Sequence, residues 1–572
     1  MNFKKFLIAA APALMLASCA SDEPNATPDD GGVEGKTMYA KIRVQVPSVT
    51  RSGTIDPDDN TNSDAGYEVG QPYENDIERV TLVLATLNNG VYTPVATSST
   101  NTTMPEASAP NVYTIMFKDE EIVKLHDQEI YIFAYCNSDI DADEIAKYTD
   151  LAQMTSTIES AAVAQGIWKS GEFLMVNAPN KGVPTKQLPD ENTLINNFNS
   201  PEKALDLGVV DVARAAARFD FKVNNGNKYA IKDVNDENNI LANIELVAMA
   251  PLNIAKTFYT LPRVSEDGTD AAWTVCGKER GFLESAYDFN YVVSPFFNEK
   301  RNASLSSIAD KYFYATATAP NYDTFAYVNI NDWYNSASND DDENWNADNK
   351  EGYKIWRYVT ENTIPGADNQ RTGVSTGVVF KGKITDAQGL MAEAMEAGMA
   401  VYSYGGTYYG GIANLRRVVA NLNESAKMRQ DFLKVFDGSY LEYEMVEEEN
   451  KLVRKYTVAD ADLKDCTSAA NNGVFKILRP EADGNYYVYY VYRNRHNDNG
   501  IPTVMAPMEF ATVRNNVYKL AVTMISDFGH TNDPQDDPTP DNPEDPDETP
   551  KTYFKVSCRV VPWVVRVNNI EF

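Results

Sequence analysis

The residues with the clearest chemical meaning lie at the start of the chain. Lys4 and Lys5 precede an apolar run from Phe6 to Leu16, and Ala17, Ser18 and Cys19 follow directly. A basic pair, an apolar run and small residues before a cysteine are typical of a secretory signal peptide that ends in a lipobox. The predicted chemistry is acylation of the Cys19 thiol by a fatty acid such as palmitate, with cleavage before Cys19. The alternative is an ordinary secretory signal with an incidental cysteine.

No motif elsewhere predicts catalysis. The sequence has three histidines and no GxSxG, HExxH, P-loop or GxGxxG pattern. Carboxylates are abundant in a chain of net charge −31, so a pair of them says little about hydrolysis. We therefore expect no enzyme activity, no metal site and no cofactor.

Four further cysteines are far apart in the sequence and lack the spacing of a metal site. We predict that they are unpaired thiols, with disulfide pairing in an exported protein as the alternative. They are Cys136, Cys276, Cys466 and Cys558.

The charge of the chain excludes one class of partner. Its 82 Asp and Glu residues far outnumber its 51 Lys and Arg residues, whereas binding of nucleic acid needs a basic surface. We therefore expect no nucleic-acid partner.

One face of the first predicted strand is apolar. Residues 37–46 alternate apolar and polar side chains and stop at Pro47, which is the pattern of a half-buried strand. The apolar positions are Met38, Ala40, Ile42, Val44 and Val46. The polar stretch that follows contains Arg51 and Ser52, and such a stretch is where proteases cut. Arg51 as an ordinary solvated residue is the alternative, and Arg43, inside the strand, is a rival cleavage site.

The end of the chain has the composition of a tether and a strand. Residues 531–550 carry eight Asp and Glu, six Pro and no Lys or Arg, so the segment is expected to be extended, spanning roughly 60 Å at about 3.1 Å per residue. Residues 553–572 are apolar in two alternating phases separated by Pro562, which predicts two short strands or one bulged strand. The apolar positions are Phe554, Val556, Cys558, Val560, Trp563, Val565 and Val567. Such a strand must complete a sheet, in its own chain or in another.

The composition and pattern of the whole sequence are typical of β-sandwiches, with 33 tyrosines and short apolar runs broken by turn residues. We predict a mainly β protein with a few short helices, over residues 141–152, 386–399 and 414–436. The predicted segments are a signal peptide (1–18), a propeptide with Cys19 and the first strand (19–51), an N-terminal β-sandwich (52–208), a C-terminal β-sandwich (209–530), the acidic arm (531–550) and the tail (551–572).

Several segments, in this order, resemble the fimbrial subunits of Bacteroidales, the FimA-like and Mfa-like fimbrillins or type V pilins. The C-terminal region resembles the Mfa-like branch most closely. The resembling segments are Val212–Arg218, Tyr358–Thr363, Gly377–Lys383, Val513–Tyr518, Val561–Trp563 and Asn568–Phe572.

The resemblance implies a fold of two tandem transthyretin-like, Greek-key β-sandwiches and a role in assembly. It implies export as a lipoprotein to the outer membrane, cleavage after Arg51, loss of the first strand, and insertion of another subunit's tail into the groove that opens, by donor-strand exchange. The implied partners are further copies of the chain, accessory anchor and tip subunits and an unknown surface receptor. The implied location is a surface-exposed fimbrium. Because both Arg51 and the tail are present, a stalk subunit that supports cell adhesion fits best; a surface-anchored adhesin or glycan-binding lipoprotein that does not polymerise is the alternative.

Overall fold

The computed structural model describes most of the chain between Thr37 and Val564. The described residues are 37–46, 68–101, 111–138, 140–158, 168, 173–179, 181–233, 236–265, 273–278, 291–295, 311–313, 326–336, 352–363, 370, 374–496, 499–501, 504–506, 508–531 and 554–564. Within them, no helix is long and apolar enough to cross a membrane.

Ten strands lie in the described residues of the first part of the chain. They are Thr37–Gln45 (β1), Glu68–Val69 (β2), Arg79–Asn88 (β3), Val91–Asn101 (β4), Val112–Lys118 (β5), Glu129–Cys136 (β6), Thr155–Thr157 (β7), Met175–Asn177 (β8), Thr185–Gln187 (β9) and Leu205–Arg214 (β10).

Strands also dominate the remainder. They are Ala216–Lys222 (β11), Lys228–Asp233 (β12), Asp236–Leu252 (β13), Ile254–Ala255 (β14), Thr257–Tyr259 (β15), Arg263–Ser265 (β16), Trp273–Val275 (β17), Tyr291–Val292 (β18), Tyr312–Phe313 (β19), Val328–Asn329 (β20), Lys354–Thr360 (β21), Gly377–Thr385 (β22), Val401–Tyr404 (β23), Thr407–Gly410 (β24), Tyr443–Glu448 (β25), Lys451–Tyr456 (β26), Lys476–Leu478 (β27), Tyr487–Arg493 (β28), Asn516–Ile525 (β29) and Phe554–Val564 (β30).

The helices are short. The described α-helices are Pro72–Asn75 (α1), Asp119–Ile122 (α2), Ala142–Ile145 (α3), Glu191–Asn197 (α4), Ile330–Ser336 (α5), Gly389–Glu396 (α6), Gly411–Ala420 (α7), Lys427–Val435 (α8) and Ser468–Asn471 (α9). Single 3-10 turns occur at Val123–Leu125, Leu151–Gln153, Pro201–Lys203, Asn225–Asn227, Gly438–Leu441 and Asp460–Asp462.

The first sheet has eight strands in the order β4-β3-β6-β8-β10-β1-β5, with β9 paired to β6. Its two end strands approach each other, because Ser98 Oγ on β4 donates a 2.5 Å hydrogen bond to the Met116 carbonyl oxygen on β5. Alternate residues of β3 point to different clusters: Leu82 joins the main core, and Val83 joins a second cluster with Leu261 and Val275. Both faces of this sheet are therefore covered.

Two further sheets form a sandwich. One has the order β2-β30-β29-β11-β21, and the other has the order β12-β13-β22-β28 with β20 on β13. Their inner faces meet through aromatic rings: the centroids of Phe221 on β11 and Phe380 on β22 are 5.6 Å apart, and those of Tyr490 on β28 and Phe554 on β30 are 5.1 Å apart. The chain passes from the first sheet to this sandwich at Ala215, between β10 and β11.

An insert lies between two neighbouring strands of the sandwich. β22 and β28 pair directly, and the chain between them builds the small sheet β24-β23-β27, helices α6 to α9 and the hairpin β25-β26. The insert has its own apolar core, which includes Tyr402, Leu415, Phe432 and Phe475.

The prediction of a mainly β protein with short helices is confirmed. The predicted helix over 414–436 is two helices, α7 and α8, and the one over 386–399 is α6. The predicted helix over 141–152 is wrong in its length: it is one turn, α3, followed by a separate 3-10 turn at Leu151–Gln153. Asp141 and Asp150 each accept a hydrogen bond from a backbone amide two residues on, which starts two short turns in place of one helix.

Candidate functional site

The first strand fills an interior place in its sheet. β1 pairs in parallel with β10 from Ala40 to Gln45, with one register irregularity, and antiparallel with β5 from Thr37 to Arg43. An interior strand satisfies the backbone groups of both neighbours. Removing β1 would therefore leave one unpaired backbone edge on β10 and another on β5.

The predicted apolar face of β1 is buried. Met38, Ala40, Ile42 and Val44 are at most 1% exposed, and Val46 packs partly buried against the same core. The alternate residues Arg43 and Gln45 are exposed. β1 thus occupies a trough with an apolar floor and two hydrogen-bonding walls.

The last strand pairs within its own chain. β30 runs antiparallel to β29 from Phe554 opposite Ile525 to Pro562 opposite Asn516, and its end pairs in parallel with β2. Phe554 and Val556 pack partly buried against the main core. The sequence predicts that the tail completes a sheet either in its own chain or in another chain. In this structure it completes a sheet in its own chain.

The predicted phase switch at Pro562 does not split the strand. β30 continues through Pro562 to Val564, and the register irregularity lies on the partner strand, between Val522 and Met524. Thr523 is the extra residue there, so the bulge belongs to β29. Pro562 lies opposite Asn516 of β29, and β2 pairs with Trp563 and Val564.

Some predicted site residues lie outside the described part of the chain. These are Cys19, Arg51, Ser52, residues 532–550, Val565 and Val567. At Cys558, Val560 and Trp563 the structure describes the backbone in β30 and not the side chains.

A buried ionic cluster joins α1 to the sandwich. The Arg218 guanidinium on β11 donates to both Asp220 carboxylate oxygens at 2.9 Å and to the Glu74 carboxylate at 3.1 and 3.2 Å. All three side chains are fully buried. Tyr358 Oη on β21 donates to Glu74 Oε1 at 2.5 Å, and the backbone amide of Gln71 donates to Glu74 Oε2 at 2.6 Å. Glu74 therefore ties α1 to two strands of the sandwich.

Arg214 extends this cluster across the passage between the sheets. It ends β10, and its guanidinium donates to the Glu74 carbonyl oxygen at 2.9 Å, to Asn515 Oδ1 at 3.2 Å and to Asn75 Oδ1. Burial lowers the pKa of Arg214 to about 10. Burial, with the adjacent Glu74 carboxylate second, raises the pKa of Tyr73 to about 12 and that of Tyr358 well above its usual value. The first sheet, the sandwich and α1 thus meet at one charged joint.

Sequence reasoning missed the role of this cluster. The sequence places Arg214 and Arg218 in a segment that resembles the fimbrillins, and two arginines inside an apolar strand run are in addition a signal of buried ion pairs. Their partner Glu74 is 140 or more positions away in sequence, and nothing in the local pattern identifies it.

Two predicted free thiols are deeply buried. Cys136 and Cys276 are unpaired and fully buried, and Cys466 is unpaired and partly exposed. Burial raises the pKa of Cys136 to about 12 and that of Cys276 further, which makes the thiolate form rare. Among the described residues, no three His, Cys, Asp or Glu side chains lie close enough together to hold a metal ion.

A buried histidine gives the sandwich a pH-dependent stability. His496 Nδ1 lies 2.9 Å from Tyr518 Oη, which accepts a 2.8 Å hydrogen bond from the Val513 amide. Burial lowers the pKa of His496 from 6.5 to about 4. As the pH falls from about 6.5 to about 4, the unfolded chain takes up a proton that the folded chain does not, so stability falls.

We expect His496→Gln to flatten this dependence. For the unchanged chain, the free energy of unfolding should drop by about 2 kcal/mol between pH 7 and pH 5, at about 1.4 kcal/mol per unit of pKa shift. Urea unfolding at a series of pH values measures the drop. His126→Gln, at an exposed position, is the matched control, and an equal drop in both variants would contradict the assignment to His496.

Comparison with known proteins gives one family. Residues 484–569 match the family model of the C-terminal region of fimbrillin, the major fimbrial subunit protein type IV. A comparison with curated proteins gives no match.

Two solved structures align with most of this chain. A fimbrilin (FimA) from Porphyromonas gingivalis is 13% identical, with 92% of this chain and 98% of that chain covered and a TM-score of 0.35. The tip fimbrial protein Mfa3 from Porphyromonas gingivalis, with a C-terminal truncation, is 9% identical, with 92% of this chain and 100% of that chain covered and a TM-score of 0.30.

The family match covers the tail strand and its neighbours in sequence. It includes β28, β29 and all of β30. Residues 484–569 of this chain are therefore similar to the C-terminal region of fimbrillins.

Proposed function

We propose that this protein is a structural subunit of a fimbrial stalk that supports cell adhesion. In this proposal the chain is exported as a lipoprotein acylated at Cys19, reaches the cell surface at the outer membrane, and is cut between Arg51 and Ser52. Cutting removes the lipid and β1, and the tail of another copy takes the place of β1. The partners are further copies of the chain together with anchor and tip subunits.

The observation that carries the proposal is the interior position of β1. It belongs to the first sheet through backbone pairing with β10 and β5 and through its buried apolar residues. An empty place of this kind binds an extended segment of alternating apolar residues by β-strand addition. The predicted cut lies after β1, so the same event frees the mature chain from its lipid and creates the acceptor.

The tail has the composition of the matching donor. β1 has nine residues and β30 has eleven, and Phe554, Val556, Cys558 and Val560 alternate as Met38, Ala40, Ile42 and Val44 do. In the uncut chain β30 rests against β29, so donation requires it to leave that place. Residues 531–550 then act as the tether that lets it reach a neighbour.

Insertion of a new strand is favoured over an empty trough because it keeps the backbone groups of β10 and β5 hydrogen-bonded. Each buried backbone group left unpaired costs about 1–3 kcal/mol, and strand addition along both walls removes this cost. Loss of the covalent link to β1 makes the return of β1 improbable, so assembly has a direction.

The test is a single change at the cleavage site. Arg51→Ala should abolish assembly, because β1 stays covalently attached and keeps its place. The chain treated with an arginine-specific protease should begin at Ser52 and form ladders in mild denaturant, as seen by N-terminal sequencing and gel electrophoresis, and the variant should remain monomeric.

Arg43→Lys provides the control. It removes the rival arginine inside β1, where the side chain is exposed but the backbone is paired on both sides. This variant should assemble as the unchanged chain does. Normal ladders from Arg51→Ala, or monomers that keep acylated Cys19 after protease treatment of the unchanged chain, would favour the non-polymerising surface lipoprotein.

A further inference from the structure

The hairpin β25-β26 stands apart from the other sheets. It pairs with no other strand of the described chain, and none of its side chains is buried. Leu452 is 70% exposed and Met445 is 52% exposed. A hairpin with two free edges is a template for pairing with another chain.

The two edges of this hairpin carry opposite charge. β25 contains Glu444, Glu447 and Glu448 and no basic residue, whereas β26 contains Lys451, Arg454 and Lys455 and no acidic residue. Within the part of the chain that the structure describes, none of these six side chains forms an ion pair. One edge therefore presents an acidic strip and the other a basic strip, in which the Arg454 guanidinium lies 4.6 Å from the centroid of the Tyr443 ring.

Charges on edge strands commonly prevent sheets from pairing edge to edge. Such charges prevent pairing when the edges that could meet carry charge of the same sign. Here each edge repels its own kind and attracts the opposite edge. The pattern therefore prevents symmetric pairing of two copies and favours head-to-tail pairing.

We propose that the hairpin joins two copies of this chain, with the acidic strand β25 of one copy against the basic strand β26 of the next. Inside the hairpin, Glu444 lies opposite Lys455 and Glu448 lies opposite Lys451 in an antiparallel register. A second hairpin displaced sideways, without reversal, presents its β26 antiparallel to the first β25. The same two charge pairs then repeat between the copies.

A second copy of this chain is the occupant that the charges favour. The chain has a net charge of −31, so copies repel each other over most of their surface, and a basic edge is a local exception that fits the acidic edge residue by residue. The contact is heterologous and leaves one free edge at each end, so it joins copies side by side in open series. It needs neither cleavage at Arg51 nor donation of the tail.

Charge reversal with mixing tests the proposal on the full, uncut chain. Glu444→Lys, Glu447→Lys and Glu448→Lys together make both edges basic, and Lys451→Glu, Arg454→Glu and Lys455→Glu together make both edges acidic. Sedimentation velocity at about 0.15 M salt, where the Debye length is about 8 Å, should show self-association of the unchanged chain. Each variant alone should lose it by roughly tenfold or more in dissociation constant, because like charges then meet.

An equimolar mixture of the two variants should regain association, and a chain carrying all six reversals, whose net charge is unchanged, should associate as before. Glu393→Lys, Glu396→Lys and Glu424→Lys, three exposed positions elsewhere on the insert, match the charge change of the first variant and should leave association intact. Monomers in the mixture and in the six-fold variant would overturn the proposal, as would capture of a different protein with the unchanged chain remaining monomeric. Loss of denaturant-resistant ladders with hairpin association retained would instead count against the strand-exchange function.

Discussion

Deletion of residues 553–572 should abolish assembly of the matured subunit while leaving its first sheet folded. Among the residues that the structure describes, the tail contacts the sandwich: β30 pairs with β29 and β2, and the Phe554 ring lies near those of Tyr490 and Phe380. Removing it exposes one edge of β29 and lowers the stability of the sandwich. It takes nothing from the trough that β1 occupies.

A synthetic peptide of residues 553–572 separates the two places that the tail can occupy. In the deleted chain with β1 still attached, the peptide should bind once, along β29. After cleavage at Arg51 and removal of β1 it should bind twice, because the trough between β10 and β5 is also empty. Isothermal titration calorimetry gives the stoichiometry.

Full-length chain treated in the same way is the matched control. Before cleavage it should bind no peptide, since β1 and β30 hold both places. Equal stoichiometry with and without β1, or unfolding of the whole chain on deletion, would mean that the tail serves only its own sandwich. A donor role would then be wrong even if cleavage occurs at Arg51.

The alternation of apolar and polar residues was enough to predict individual strands. The alternation from Met38 to Val46 predicted both the strand and its buried face, because a period of two fixes which side chains share a side of a sheet. The mainly β class followed from many such short runs. The tail is a strand, as predicted; of the two predicted forms, two short strands or one bulged strand, it takes neither, because β30 runs unbroken through Pro562 and the bulge lies on its partner β29.

The position of each strand in its sheet depends on contacts between distant residues. Residues 37–46 alone do not indicate that β1 lies between β10 and β5. Lys118 on β5 is more than 70 positions from its partner Thr37, and Leu205 on β10 is more than 160 positions from its partner Ala40. The same limit applies to Glu74: its carboxylate is one acidic group among 82 until the fold brings Arg218 and Tyr358 to it.

The charged joint gives the second large effect. Arg218→Met should lower the free energy of unfolding by about 3–5 kcal/mol, the usual cost of breaking a buried ion pair on one side. Arg218 is the cation that contacts both Glu74 and Asp220. Its loss leaves two carboxylates without that partner at fully buried positions, and Tyr358 can still donate to only one of them. Urea unfolding followed by tyrosine and tryptophan fluorescence measures the loss.

Two variants show whether the loss arises from buried charge. Arg417→Met breaks a pair with Asp460 in which the side chains are 53% and 44% exposed, and it should cost less than about 1 kcal/mol. The triple change Glu74→Gln, Arg218→Met and Asp220→Asn removes all three charges, so it should be less destabilising than Arg218→Met alone. If the triple variant were the weaker protein, packing of the Arg218 stem rather than charge balance would hold α1 and β11 together, since neutralising the carboxylates would then have relieved nothing.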